Sequence, residues 1–387
     1  MISPAHPAQT DGTPRVLFAC GGTGGHVYPA IAIADAVRAA RPGAAIAFAG
    51  TRERMEWTAV PRAGYPIHAV TVSGFQRGLS AAALRRNATF PLKLARGLRD
   101  SLRLVGSFDA DVVVGTGGYV SGPVGLAAVL TRRPLVVQEQ NAIAGVTNRL
   151  LARRAAAVFV GFEATLGDLP GATAAGNPVR AGLVAASASA ATRAAARAEL
   201  GLAPDARVLL VTGGSLGAAP LNRAVRAGLG ALLADPRTLV LWAAGTRYHA
   251  ALSAELAGGD ALPARVRLVP YLDRMDLAYA AADVALARAG ALTCSELAAT
   301  GTPAVLVPSP NVTADHQTRN AEALARAGAA VLLPEARLLS DAATVVAALL
   351  ADDARRAAMR AACAAVARPD AARDIAAAVL ALADTHR

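Results

Sequence analysis

The chain has 387 residues, enough for two domains of ordinary size that each bury a core. No stretch approaches the roughly 18 consecutive apolar residues of a membrane span, although hydrophobic residues make up 54% of the chain. A net charge of +11 favours anionic partners, whereas the 4% aromatic content disfavours a protein that stacks single-stranded bases.

The N-terminal residues and the cysteines indicate the cellular compartment of the protein. Residues 1–14 lack the basic start and the apolar centre of a signal peptide, and we expect a disordered leader there. Cys20, Cys294 and Cys363 are far apart and odd in number, which argues against a disulfide framework or a zinc cluster. These features fit a reducing cytoplasm and predict no metal.

One pattern occurs three times along the chain: a short apolar run, a glycine loop and a helical stretch. It reads RVLFACGGTGGH from Arg15, ADVVVGTGGYVSGP from Ala110 and RVLLVTGGSLGA from Arg207. Other β-branched runs alternate with Ala- and Leu-rich stretches, which predicts parallel sheets of the doubly wound α/β class. Residues 181–206 have no strand signal, so we place the domain boundary near residues 177–180.

Glycine loops before helices suit phosphate, because their backbone amides can approach an anion and the helix N-terminus is positive. A glycine pair after a strand can equally be a tight turn, and only the repetition favours binding. No Gly-Lys-Ser/Thr follows any loop, and CGGTGGHV does not give G-x-G-x-x-G in register. These absences disfavour P-loop NTPases and dehydrogenases.

A further segment, ARAGALTCSE from Ala287, puts small residues and hydroxyls at a helix entry. Thr293 can donate to a phosphate oxygen, and Glu296 suits two vicinal ribose hydroxyls, although a helix cap with a favourable carboxylate is the alternative. Downstream, Asp315, His316, Gln317 and Asn320 begin another helix, where amides can bind sugar hydroxyls.

The segments GGTGGH, GGYVSGP, QEQNAIAG, GNPVR, GGSLGA, ARAGALTCSE and DHQTRNA occur in this order over nearly the whole chain. Together they resemble the MurG family. The resemblance implies the GT-B architecture, two Rossmann-like domains facing across a cleft. It also implies a UDP-GlcNAc-dependent transferase that adds N-acetylglucosamine to undecaprenyl-pyrophosphoryl-MurNAc-pentapeptide, converting lipid I to lipid II in peptidoglycan synthesis.

The same resemblance gives each domain a role. Residues 15–180 would form the acceptor and membrane-association domain, and residues 181–369 the UDP-sugar domain. Residues 370–387 would form a helix that crosses back to the first domain. The site residues carried over as substrate contacts are Thr23, Gly24, Gly25, Asn141, Arg180, Ser215, Leu272, Ala291, Leu292, Thr293, Cys294, Ser295, Glu296 and Gln317. Two residues depart from the common pattern: Leu216 in GGSLGA stands where glutamine is frequent and removes an amide, and Gln138 in QEQN stands where histidine is frequent.

An α-linked donor and a β-linked product require inversion, so a single displacement with a general base suffices. His26 is the first candidate base, because imidazole titrates near working pH, and a hydrogen bond to the acceptor diphosphate is its alternative role. Glu139 is the second candidate. The one D-x-D, Asp109 to Asp111, is read as a helix-to-strand turn rather than a metal motif, and no cofactor is predicted.

Residues 74–103 mix apolar and basic side chains, which is typical of a surface that meets anionic lipid or of an ordinary amphipathic helix. The predicted membrane patch consists of Phe75, Leu79, Arg85, Arg86, Phe90 and Lys93.

We therefore expect a peripheral protein on the cytoplasmic side of the cell membrane. Its partners would be UDP-GlcNAc, lipid I, the anionic inner-membrane surface and proteins of cell-wall synthesis and division, without nucleic acid. The alternatives are another GT-B glycolipid or natural-product glycosyltransferase, a UDP-GlcNAc 2-epimerase, and a non-catalytic nucleotide-binding protein recruited to membranes.

Overall fold

The short apolar runs form parallel strands, and the alanine- and leucine-rich stretches between them form helices. The computed structural model describes residues 12–72, 90–185, 190–214, 216–258 and 264–386. The chain divides into two compact units. Unit 1 comprises Met1–Gln138, Val146–Val158 and Arg373–Arg387, and unit 2 comprises Glu139–Gly145 and Phe159–Ala372.

The first sheet has seven strands in the order β3-β2-β1-β4-β5-β6-β7. These strands are β1 Arg15–Ala19, β2 Ala45–Gly50, β3 Ile67–Ala69, β4 Val112–Gly115, β5 Leu135–Glu139, β6 Ala157–Val160 and β7 Ala172–Thr173. The helices up to this point are α1 Gly24–Ala40, α2 Glu56–Arg62, α3 Phe90–Phe108, α4 Gly118–Leu130 and α5 Val146–Ala152, with a 3₁₀ turn at Glu163–Asp168. From the predicted leader, residues 12–14 are described, and the Pro14 carbonyl accepts from the amide of Ala45 at 2.8 Å.

The second sheet has six strands in the order β10-β9-β8-β11-β12-β13. They are β8 Arg207–Thr212, β9 Thr238–Ala243, β10 Val266–Val269, β11 Val284–Arg288, β12 Ala304–Val307 and β13 Ala330–Leu332. The helices of this half are α6 Ala181–Ala185, α7 Ala190–Glu199, α8 Ala219–Ala227, α9 Leu229–Leu232, α10 Thr246–Ala257, α11 Met275–Ala281, α12 Ala291–Ala299, α13 His316–Arg326, α14 Glu335–Ala351 and α15 Asp353–Val366. A 3₁₀ turn lies at Thr313–Asp315, and the last helix, α16 Ala371–Thr385, ends the chain in unit 1.

The central strands are buried on both faces, as expected where helices cover a parallel sheet. In β1, Phe18 lies opposite Phe48 of β2, and the two rings stack with centroids 5.0 Å apart. In the second sheet Trp242 is fully buried, and its indole N–H donates to Asn222 at 3.0 Å. Each glycine loop follows the carboxyl end of a central strand, the usual position of ligand sites in doubly wound sheets.

Candidate active site

The first glycine loop runs from Cys20 to Thr23, between the end of β1 and the start of α1. Gly22 has a φ of 93°, a conformation that glycine adopts without strain. Its amide donates to the Glu56 carboxylate at 3.1 Å. This backbone N–H is therefore already committed within the protein.

Glu56 is the residue that fixes this loop. It is fully buried at the start of α2, and its second carboxylate oxygen accepts from the Thr51 amide at 3.1 Å and the Thr51 hydroxyl at 2.6 Å. One carboxylate thus joins the loops that follow β1 and β2. Sequence reasoning missed Glu56, because an acidic residue in TRERMEW carries no local signal of a distant glycine loop.

The second glycine loop is tied to the end of β1 by a hydroxyl. Ser121 is buried, accepts from the Gly117 amide at 2.9 Å and lies 2.8 Å from the Ala19 carbonyl, to which it can donate. Gly118 has a φ of 79°, and a Cβ there would lie 2.3 Å from the Gly21 carbonyl oxygen. The two loops therefore meet backbone to backbone, which only glycine permits.

His26, the first candidate base, is held by the second loop. Its Nδ1 lies 3.1 Å from the Thr116 carbonyl oxygen, and the Thr116 hydroxyl donates to the His26 carbonyl at 2.8 Å. A carbonyl can only accept, so this contact requires a proton on Nδ1. In the neutral ring the Nε2 lone pair is then the basic site. Gly117 makes room for the ring, since a Cβ there would lie 2.8 Å from Nδ1.

Glu139, the second candidate base, closes a loop within unit 2. It is buried, and its carboxylate accepts from the Asn141 amide at 2.9 Å, the Asn141 side chain at 3.1 Å and the Gly145 amide at 2.9 Å. Three donors to one carboxylate indicate a structural role for Glu139, with Asn141 presented by the loop that it closes.

Two buried asparagines fix this loop further. Asn320 accepts from the Ala142 amide at 2.8 Å and donates to the Ala289 carbonyl at 3.1 Å. The Asn177 side-chain nitrogen lies 2.9 Å from both the Gln140 carbonyl and the Ser295 hydroxyl. Residues 139–145 are thereby attached to the β11–α12 loop. Ser295, predicted as a substrate contact, accepts from the Asn177 side chain.

The third glycine loop follows β8. A Cβ on Gly217, whose φ is 72°, would lie 2.1 Å from the Ala244 carbonyl oxygen, so the loop packs tightly on the end of β9. Ser215 lies outside the described residues. Leu216, the residue that departs from the common pattern, is 82% exposed. Gln138, the other departure, is fully buried in unit 1.

The N-terminus of α12 carries the segment predicted to bind the diphosphate. Gly290 is the extended N-cap, and the position that its Cβ would take lies 3.7 Å from the Thr293 hydroxyl. Ala291 and Cys294 are buried, whereas Leu292 and Thr293 are partly exposed. Burial raises the pKa of the Cys294 thiol to about 12, so its side chain is a neutral core group. Only the backbone of Cys294 can contact a ligand.

Glu296 lies one turn into α12, partly exposed. The Tyr279 hydroxyl donates to its carboxylate at 3.1 Å, and Tyr279 itself is 2% exposed. Desolvation raises the pKa of Glu296, while the positive charge of Arg180 and the Tyr279 hydrogen bond act in the opposite direction. The structure therefore brings Arg180 and Glu296, two predicted donor contacts, into electrostatic range of each other.

The remaining predicted donor residues lie in loops of the second sheet. Leu272 follows β10 and packs partly buried against the core. Gln317 is the second residue of α13, and its side-chain oxygen accepts from the Ser309 amide at 2.9 Å, which fixes the orientation of its amide group. Thr23, Gly24 and Gly25 belong to unit 1, at the start of α1.

The D-x-D sequence forms the predicted turn between α3 and β4. The Asp111 carboxylate accepts from the Arg15 amide at 2.8 Å, and Asp109 forms an ion pair with Arg133 at 2.8 Å. Among the residues that the structure describes, no group of three or more His, Cys, Asp or Glu side chains could hold a metal ion.

Most of the predicted membrane patch, namely Phe75, Leu79, Arg85 and Arg86, lies outside the described residues, as does the side chain of Phe90. The described part of unit 1 nevertheless has many exposed large apolar side chains on α3, α4 and α5. These are Leu92, Leu94, Tyr119, Leu126, Leu130, Val146 and Leu150. Within the described ranges no helix has the length and hydropathy to cross a membrane.

Two cavities of about 690 Å³ each lie in unit 1. The first, the polar cavity, is lined by the first glycine loop and by Arg52, Glu53 and Arg54 of the loop after β2. The second, the apolar groove, runs between α3, α4 and α5 and is lined by side chains such as Leu94, Leu98, Leu126 and Leu150. Thr71, Val72, Lys93 and Tyr119 line both.

Two parallel α/β units with glycine loops at strand ends and a polar helix N-terminus form the architecture predicted for the GT-B class. Residues 16–160 match the N-terminal domain of glycosyltransferase family 28, and residues 208–375 match its C-terminal domain. A Salinibacter ruber protein, named UDP-N-acetylglucosamine–N-acetylmuramyl-(pentapeptide) pyrophosphoryl-undecaprenol N-acetylglucosamine transferase, is 54% identical over 97% of this chain and 98% of its own. The chain therefore belongs to the MurG family, which confirms the resemblance.

Comparison with solved structures supports the same fold. The crystal structure of Acinetobacter baumannii MurG superposes with a TM-score of 0.73 at 29% identity, covering 95% of this chain and 99% of that one. The calicheamicin glycosyltransferase CalG4 gives a TM-score of 0.63 at 19% identity, covering 95% and 98%, a likeness of fold alone. The predicted fold class, two Rossmann-like α/β domains, is confirmed.

Proposed function

We propose that the protein transfers N-acetylglucosamine from UDP-GlcNAc to the 4-hydroxyl of MurNAc in undecaprenyl-pyrophosphoryl-MurNAc-pentapeptide, with inversion at the anomeric carbon. The observation that carries the proposal is the 54% identity, over nearly both full lengths, to a relative named for this activity. The geometry around His26 and Glu296 supplies groups suited to both substrates.

His26 is the proposed general base. With Nδ1 donating to the Thr116 carbonyl, the neutral ring has its lone pair on Nε2, which can take the proton of the acceptor hydroxyl. The acceptor oxygen then attacks the anomeric carbon and the bond to UDP breaks in the same displacement. Glu139 is the less suitable base, because Asn141 and Gly145 already occupy its carboxylate.

The UDP leaving group gains negative charge in this step. Backbone amides at the start of α12 and the Thr293 hydroxyl are suited to stabilise it, since a helix N-terminus is positive and needs no reorganisation during the reaction. Glu296 would accept from the ribose hydroxyls, with Arg180, Leu272, Gln317 and Asn141 as further donor contacts. In this division of labour residues 15–180 serve the acceptor, apart from the donor contacts Asn141 and Arg180. Residues 181–369 serve UDP-GlcNAc, and residues 370–387 return to the first domain.

Unit 1 would also bind the membrane surface from the cytoplasmic side as a peripheral protein. The exposed apolar side chains on α3, α4 and α5 support this, because apolar residues near cations favour an anionic lipid interface. Partners from cell-wall synthesis and division remain a prediction of the family likeness.

The activity is tested with labelled UDP-GlcNAc and lipid I or a short-chain analogue, without added metal. We expect label in the disaccharide product, whereas an epimerised or unchanged donor would overturn the proposal and favour the epimerase alternative. For the base, His26→Ala should lower kcat by about 10²- to 10⁴-fold at saturating acceptor. Near-normal turnover of this variant would remove His26 from the chemistry.

Membrane binding is tested by sedimentation with vesicles that contain phosphatidylglycerol. A Leu92→Ser, Leu130→Ser double variant should bind less than the wild type, since both side chains are exposed on unit 1. Leu339→Ser is the matched control, because Leu339 is 68% exposed on unit 2. Equal loss in both variants, or no loss, would count against a membrane face on α3, α4 and α5.

A further inference from the structure

Lys93 lies where the two cavities of unit 1 meet. It is one of the four residues that line both, and it is partly exposed near the start of α3. On one side the polar cavity is lined by the first glycine loop and by Arg52 and Arg54. On the other side the lining is almost entirely apolar. A cation at such a boundary fits a ligand whose charged group lies between a polar body and an apolar chain.

The backbone fixes the position of this boundary. Gly97 is one helical turn after Lys93 on the same face of α3, and a Cβ there would lie 2.2 Å from the Thr71 carbonyl oxygen. The Thr71 amide also donates to Asp100 at 3.3 Å. Thr71, which lines both cavities, is thus held against α3 beside Lys93.

One amide of the first glycine loop is not available to a diphosphate. The Gly22 amide is committed to Glu56 at 3.1 Å. Cationic side chains can supply attraction that this amide does not, and lysine binds phosphate as a point charge. Arg52, Arg54 and Lys93 together outweigh Glu53, so the lining of the polar cavity is net positive.

We infer that the two cavities form one acceptor channel, in which Lys93 binds the diphosphate and the apolar groove takes the first isoprene units of the prenyl chain. The inference rests on the proposed function and changes the role of Lys93 from a membrane-surface cation to a substrate contact. The muramyl sugar would lie in the polar cavity, near the glycine loop that precedes His26. The side chains in the groove give the chain an apolar path away from the diphosphate.

The test uses the full chain and a water-soluble short-chain prenyl-pyrophosphoryl-MurNAc-pentapeptide, with neither vesicles nor detergent. Lys93→Gln should raise the KM for this acceptor about 10-fold or more, as expected for loss of a charge-assisted phosphate contact, and leave the KM for UDP-GlcNAc unchanged. Arg96→Gln is the matched control, because Arg96 is exposed on the same helix and lines neither cavity. It should behave as the wild type.

A short-chain prenyl diphosphate provides a second measurement. It should inhibit the wild type competitively against the acceptor, more tightly as the chain lengthens, and inhibit the Lys93→Gln variant weakly. The matching prenyl alcohol should inhibit neither well. Equal acceptor KM values for the Lys93 and Arg96 variants, or inhibition indifferent to chain length, would overturn the inference. No transfer by the wild type would instead overturn the proposed function.

Discussion

The Glu56 carboxylate offers the sharpest test of how the first glycine loop is held. It accepts from the Gly22 amide, the Thr51 amide and the Thr51 hydroxyl, and it is fully buried. In Glu56→Gln the side chain keeps its size, but one of its two ends becomes a donor. That end must face a backbone N–H, so at least one buried donor is left without its partner.

The expected cost follows from these contacts. An unsatisfied buried donor costs about 1–3 kcal/mol, and two further hydrogen bonds lose the strength of a charged acceptor. We therefore expect a loss of about 2–3 kcal/mol in the free energy of unfolding. For a folding unit of 150–250 residues this lowers Tm by about 4–12 °C.

The loop should also lose its position against the second glycine loop. We expect a higher KM for the acceptor with little change in the KM for UDP-GlcNAc. Thermal unfolding followed by circular dichroism, together with steady-state kinetics, measures both effects. Glu53→Gln is the control for stability, because Glu53 is exposed in the same β2–α2 loop. If Glu56→Gln melted at the same temperature as the Glu53 variant, the Glu56 contacts would not stabilise the loop.

Three further predictions concern other contacts of the site. Burial raises the pKa of Glu296, so its carboxylate becomes protonated at a higher pH than an ordinary glutamate does. The KM for UDP-GlcNAc should therefore rise as the pH falls through that raised pKa. Glu296→Gln should have a high KM without this pH dependence, and a wild-type KM independent of pH would refute the ribose role. Gly117→Ala should lower kcat, because a φ of 101° with a ψ of −173° costs an L-residue about 1–3 kcal/mol and its Cβ would meet the His26 ring; turnover equal to the wild type would contradict that contact. Asn320→Ala should raise the KM for UDP-GlcNAc and increase proteolysis near Asn141, because Asn320 holds the Ala142 amide. Unchanged limited proteolysis would show that Asn320 does not hold residues 139–145 in place.

The alternation of apolar runs and helical stretches was enough to predict two parallel α/β domains, because strand and helix periodicity are local properties of a sequence. The glycine loops were located correctly for the same reason. The sequence did not predict the side-chain hydrogen bonds that hold the loops of the site in place. Asn320 and the Ala142 amide are 178 residues apart, and no periodic pattern links such a pair.

The surroundings of individual side chains could not be predicted from the sequence. Cys294 and Ser295 belong to a segment identified by resemblance; in the structure the Cys294 side chain lies in the core and the Ser295 hydroxyl accepts a hydrogen bond from Asn177. A motif fixes where the backbone is, whereas burial and partners depend on elements distant in sequence. Glu139 differs, because its three donors come from Asn141 and Gly145 in the loop directly after it.

Unit 1 is discontinuous in sequence, since it contains both the first residues of the chain and α16. Ile375 and Val379 of α16 are fully buried, and Asp384 near its end pairs with Arg41 at 2.8 Å. During synthesis the chain of unit 2 is therefore complete before unit 1 has its last helix. Unit 1 cannot complete its packing until the residues of α16 have been synthesised. A truncation that removed α16 would leave the core of unit 1 without Ile375 and Val379, although most of unit 1 is translated before unit 2.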